Sequence, residues 1–104
     1  MPRFLVTYHG GSGMPESEEG RQQVNAAFGA WADATGKALV DPGAVLGASR
    51  TVSTGSVTNG AAEGPANGYS ILDAADLDSA VDLVRAHPFV GRGGSLQVSE
   101  AVAP

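Results

Sequence analysis

The stretch from Gly68 to Val102, GYSILDAADLDSAVDLVRAHPFVGRGGSLQVSEAV, leaves few paths for the chain. Tyr69 to Asp73 has the apolar content of a strand. Asp76 can cap a helix from Leu77 to Ala86, in which Leu77, Ala80, Val81 and Val84 recur at helical spacing and make one apolar stripe. His87-Pro88 stops that helix, because a residue before proline is pushed out of the helical region. Gly91-Arg92-Gly93-Gly94 then predicts a turn, and Leu96, Val98 and Val102 mark a closing strand.

The upstream half repeats this plan. Phe4, Val6 and Tyr8 alternate with Leu5, Thr7 and His9 in a first strand, which Gly10-Gly11-Ser12-Gly13 breaks. Pro15 precedes Glu16, Glu18 and Glu19, acids suited to the positive end of a helix dipole. From Ser17 to Thr35, Val24, Phe28 and Trp31 fall at i, i+4 and i+7, and Gly36 is placed to cap the helix end. A second strand starts at Ala38-Leu39-Val40, is interrupted by Asp41-Pro42-Gly43 and resumes at Ala44-Val45-Leu46. Proline inside the run predicts an edge position or a bulge. Arg50 to Thr58 reads as a small hairpin, with Val52 and Val57 flanking a Thr54-Gly55 turn. Asn59 to Asn67, rich in Gly and Ala, reads as an exposed loop. The order is βαββαβ with an extra hairpin between the second and third sheet strands, the α+β ferredoxin-like plan, in a single domain spanning residues 1–104.

Composition narrows the function. A chain of 104 residues builds one modest core. A net charge of −5, with six scattered basic residues, disfavours a nucleic-acid partner, which calls for a clustered Lys/Arg face. With no cysteine, thiolate chemistry and disulfides are excluded. Two distant histidines without clustered carboxylates give no metal site, and neither glycine run has the spacing or partners of a phosphate-binding loop. Ser12 and Ser95 have no evident base partner. The first residues run straight into a strand without the long apolar stretch of a signal peptide, and no run reaches membrane-spanning length. A cytoplasmic protein with no cofactor and no membrane partner is expected.

Following the chain through this plan groups the candidate site residues. The end of the first strand (Tyr8, His9), the hairpin with Arg50, the end of the second helix (His87) and the Gly91–Gly94 turn share one end of the sheet. If Phe4/Val6/Tyr8, Tyr69/Ile71 and Leu96/Val98 face the helices, then Leu5, Thr7, His9, Ser70, Leu72, Ser95, Gln97 and Ser99 form the other face. That face is too apolar to stay bare and too polar for an ordinary core, and suits a partner sheet with a small wet cavity between. Each residue also has a plain structural role available. His87 can answer the negative helix end, Tyr8 can pack as a strand aromatic, and Arg50 and His9 can be solvated surface groups.

The chain resembles the YCII-related (YciI-like, DGPF) proteins. Asp76-Leu77-Asp78-x-Ala80, His87-Pro88 and Gly93-Gly94-Ser95-Leu96-Gln97-Val98 carry the resemblance. It implies a dimeric α+β barrel, in which two ferredoxin-like sheets pack face to face in a homodimer. It also implies lyase- or isomerase-type activity on a small organic molecule. On that reading His9 or His87 supplies acid–base catalysis with Tyr8, and Arg50, Asn25 and Ser95 contact the substrate. Two positions depart from the family pattern. Its Asp-Gly-Pro-Phe signature falls on Asn59-Gly60-Ala61-Ala62, and its His–Asp dyad falls on Asn25 and His87, and an Asn cannot accept the dyad's proton. A non-catalytic small-molecule-binding or accessory dimer is the competing expectation.

Overall fold

The computed structural model describes residues 2–11, 15–60 and 66–102. Strand β1 (Arg3–Gly10) leads to helix α1 (Glu18–Thr35), a 3₁₀ turn (Gly36–Ala38) and β2 (Leu39–Val45). The hairpin β3 (Arg50–Ser53) and β4 (Ser56–Asn59) follows. Then come β5 (Gly68–Asp73), α2 (Leu77–Arg85), a short α3 (Pro88–Gly91) and β6 (Gly94–Ala101). The main sheet has the order β2-β5-β1-β6, and all of its pairs are antiparallel. This is the ferredoxin-like arrangement expected from the sequence. The hairpin forms a separate two-stranded sheet. Part of the expected Asn59–Asn67 loop, and Ser12-Gly13 of the first glycine run, lie outside the described residues.

Local chemistry sets the helix ends. The Ser17 hydroxyl accepts the Gly20 N–H at 3.0 Å, Glu18 and Glu19 occupy the first turn, and Gly36 ends α1 at φ 62°. The Asp76 carboxylate accepts the Ser79 N–H at 2.8 Å and starts α2. His87-Pro88 ends α2 and also begins α3, with Pro88 in the first helical turn, where its missing N–H costs nothing. A short helix, not assigned from the sequence, thus lies between the helix stop at His87 and the turn expected at Gly91–Gly94.

One expectation is reversed. Tyr69 and Ile71 do not face the helices; Ser70 and Leu72 do, both with no exposed surface. The β1–β5 register explains it. Phe4 lies opposite Leu72 and Val6 opposite Ser70, and directly opposed residues share a face. The β5 sequence is apolar in both phases, so its alternation alone does not choose. The outer face is consequently more apolar than expected, carrying Leu5, Tyr69 and Ile71 beside Thr7, Gln97 and Ser99.

The core lies between the sheet and the helices: Val6, Leu72, Trp31 and Val84 form one buried group, and Phe4, Ala74 and Ala80 another. The Trp31 indole N–H donates to the Leu83 carbonyl at 2.9 Å, tying α1 to α2. Leu77, expected in the apolar stripe, is instead 46% exposed at the start of α2. Among the described residues, no helix is long and apolar enough to cross a membrane.

Candidate functional site

The expected interruption at Asp41-Pro42-Gly43 is a bulge in an edge strand. The β2–β5 register shifts on both sides of it, and the Asp41 carboxylate accepts the Gly43 N–H at 2.8 Å. Gly43 sits at φ 80°, and a Cβ there would overlap the Tyr69 carbonyl, so only glycine fits. The bulge brings the Pro42 carbonyl to the Ser70 hydroxyl, which donates to it at 2.8 Å.

From there a chain of hydrogen bonds crosses the inner face. Ser70 Oγ lies 2.6 Å from Tyr8 Oη, and Tyr8 Oη lies 2.9 Å from His87 Nε2. His87 Nδ1 in turn accepts the Phe89 N–H at 3.0 Å. Both ends fix the proton positions. A peptide N–H can only donate, so Nδ1 is bare and neutral His87 carries its proton on Nε2. A carbonyl can only accept, so Ser70 gives its proton to Pro42 and must accept from Tyr8. The two deductions meet at Tyr8, whose oxygen accepts from His87 and whose hydrogen goes to Ser70.

His87 is 4% exposed among the rings of Tyr8, Phe28 and Trp31, with centroids at 4.9, 5.6 and 4.4 Å. Burial, and secondarily the charge of Arg92, lowers its pKa from 6.5 to about 4. Burial raises the Tyr8 pKa above its ordinary value, opposed by the Ser70 hydrogen bond. The connected groups are therefore uncharged at neutral pH.

Tyr8, His87 and Pro42 line a cleft of about 1060 Å³ between α1, the bulge and α3, whose other walls include Val24, Phe28 and Phe89. Asn67 holds the ends of β1 and β2 together there: its N–H donates to Tyr8 O at 2.6 Å, its side-chain amide donates to Gly10 O at 3.0 Å, and its carbonyl accepts from Leu46 N–H at 2.9 Å. Among the described residues lining the cleft, Arg92 is the charged one, with its guanidinium 5.5 Å from the centre of the Phe89 ring.

Of the six residues singled out from the sequence, Tyr8, His87 and Asn25 line this cleft. His9 and Ser95 are opposed across β1 and β6, one residue out of phase with Tyr8, so they lie on the outer face. There His9 Nε2 hydrogen-bonds the Thr7 hydroxyl at 2.8 Å. Arg50 is exposed in the separate hairpin. The two histidines share an end of the sheet, as expected, but not a face. Ser70, Pro42 and Phe89 went unnoticed as site residues. A serine between the apolar Tyr69 and Ile71 was the available signal for Ser70, once its phase is known. Among the described residues, no three His, Asp or Glu side chains gather where a metal could be held.

Comparison with protein families finds no matching family, and comparison with curated proteins finds no similar one. Among solved structures the chain is similar to 5-chloro-2-hydroxyhydroquinone dehydrochlorinase from Burkholderia phenoliruptrix AC1100 in complex with 2,5-dihydroxybenzoquinone. The TM-score is 0.51 at 21% sequence identity, covering 98% of this chain and 95% of that one. The likeness supports the α+β ferredoxin-like fold. At that identity it speaks to the fold alone.

Proposed function

We propose that this protein binds a small, largely apolar organic molecule in the cleft beside Tyr8, as a homodimer whose two outer sheet faces cover one another. The observation that carries the reading is the Pro42–Ser70–Tyr8–His87–Phe89 hydrogen-bonded series at the wall of an apolar cleft. A few fixed polar groups in an otherwise apolar concavity are what small-molecule sites require. Both ends of the series are backbone groups, which neither take up nor release protons at neutral pH. It holds the Tyr8 hydroxyl in one orientation and does not conduct protons to solvent. His87, with Nδ1 occupied and a pKa of about 4, is a poor general base at neutral pH.

A second reading is cofactor-free proton transfer of the lyase or isomerase type in the same cleft, with Tyr8 as the proton-handling group. The fold likeness to a dehydrochlorinase is compatible with it, and the Tyr8 hydroxyl, held in the hydrogen-bonded series beside the cleft, is the feature that favours it. Dimerisation is supported by the apolar outer face, where Leu5 is 41% exposed.

A thermal-shift screen against small organic molecules tests the reading, because a ligand at a hundredfold excess over its Kd stabilises by about 2.7 kcal/mol. Hits whose amide shifts map to Asn25, Phe28 and Leu46 support it, and hits that map elsewhere contradict it. Turnover of a bound hit, abolished by Tyr8→Phe, decides for the second reading.

A further inference from the structure

We infer that the cleft takes its ligand as an anion, an apolar frame bearing a carboxylate, with the carboxylate held at Arg92. The inference rests on the binding reading above and adds the charge of the ligand. The chain holds 11 acidic residues against 6 Lys and Arg, for a net charge of −5. Yet the described residues lining the cleft include no Asp or Glu, and Arg92 is the one charged side chain among them. The acids nearest in sequence do not offset it. Glu16 and Glu19, next to Pro15 and Gly20, are exposed and outside the lining, and the Asp41 carboxylate accepts the Gly43 N–H. Tyr8 and His87 are uncharged at neutral pH, so the described walls are net positive on an acidic protein.

Arg92 is placed to use that charge. It is half-buried, with its guanidinium 5.5 Å from the centre of the Phe89 ring, and beside an apolar ring a charge is less screened than in open water. Its field reaches the inner wall, where it is the second cause, after burial, that keeps the His87 imidazole unprotonated. A place that disfavours a second cation favours an anion. Arg92 has other interactions within the fold, and a guanidinium carries donors enough to serve more than one acceptor. Gln23 and Asn25, also on the lining, carry amide N–H groups on which a carboxylate, with its several lone pairs, can draw. In an apolar cleft without such partners a carboxylate would stay in water.

The test compares benzoate with benzamide, probes of one shape that differ in charge, by titrating each into the ¹⁵N-labelled protein at pH 7 and following the cleft amides. The net charge of the protein repels benzoate, so the overall field alone ranks benzamide first. Benzoate is expected to bind about three- to tenfold more tightly, the worth of a charged hydrogen bond discounted for solvent. Added salt should narrow the difference. Arg92→Gln should bring the two probes to within about twofold, and Arg92→Lys should keep part of the preference. Equal binding of both probes by the native protein, or tighter binding of benzamide, with cleft amides shifting, overturns the inference and leaves the binding reading standing. A preference for benzoate that survives Arg92→Gln undiminished overturns it as well. If neither probe shifts those amides at its solubility limit, both fall. The native comparison stands even if a variant fails to fold.

Discussion

The buried histidine makes stability depend on pH in a defined window. In the unfolded chain the imidazole titrates near 6.5; in the fold its pKa is lowered to about 4. Above 6.5 His87 is neutral in both states and adds no pH dependence. Between 6.5 and about 4 the unfolded chain binds a proton that the folded chain refuses, so stability falls as pH falls. Below about 4 both states hold the proton and this contribution levels off. At about 1.4 kcal/mol for each tenfold change in proton affinity, the full loss is about 3 kcal/mol, of which about 2 kcal/mol has gone by a pH of about 5. That is a large share of the ~5–15 kcal/mol expected for a domain. The Asp76 carboxylate, lowered by its bond to the Ser79 N–H, loses its contribution only as pH falls below the usual carboxylate range, outside this window. The assay is urea unfolding at one protein concentration between pH 7.5 and 5, for the native chain and His87→Asn. Asparagine keeps an acceptor for the Phe89 N–H but does not titrate. The variant should start lower, having lost the imidazole packing on Trp31 and Phe28, and should lack the slope. If the two chains lose stability in parallel, to within about 0.5 kcal/mol, His87 titrates normally and the buried neutral imidazole is refuted.

Three further outcomes are expected. Gly43→Ala should destabilise by about 2–4 kcal/mol in urea unfolding, since its φ and the Tyr69 carbonyl both exclude a Cβ; a loss below about 0.5 kcal/mol would contradict the bulge geometry. Ser70→Ala should cost about 1–3 kcal/mol by stranding the Tyr8 hydrogen and the Pro42 carbonyl. A double-mutant cycle with Tyr8→Phe should show a coupling of at least about 0.5 kcal/mol, and additive losses would mean the two hydroxyls are not bonded. In light scattering at micromolar concentration the native chain should have twice its 10.4 kDa mass. Leu5→Lys, on the exposed face, should shift it to monomer with its circular dichroism retained. A native monomer would sink the dimer.

The order of elements, both long-helix caps, the hairpin turn and the proline bulge were legible because each is a local event. Asp76, Gly36 and Pro42 act within a few residues of their own positions. The phase of β5 was not local. GYSILD offers an apolar set either way, and only pairing with Phe4 and Val6 places Ser70 inside. The same limit hid half the site. Chain direction correctly put His9 and His87 at one end of the sheet. The strand pleat, which sends Tyr8 and His9 to opposite faces, decided that only His87 shares the cleft with Tyr8. His87-Pro88 was readable as a helix stop. That its imidazole also starts α3, and so leaves only Nε2 to carry a proton, depended on a backbone N–H two residues away.

The direction of the Tyr8 hydroxyl follows from the protonation of His87, and that can be observed directly. Long-range ¹H–¹⁵N correlation spectra of the two histidine rings distinguish a protonated ring nitrogen from a bare one. The account predicts that His87 has Nε2 protonated and Nδ1 bare at pH 7, and that it keeps this form at pH 5. A proton on Nδ1, exchange between the two forms, or an imidazolium at pH 5 would contradict it.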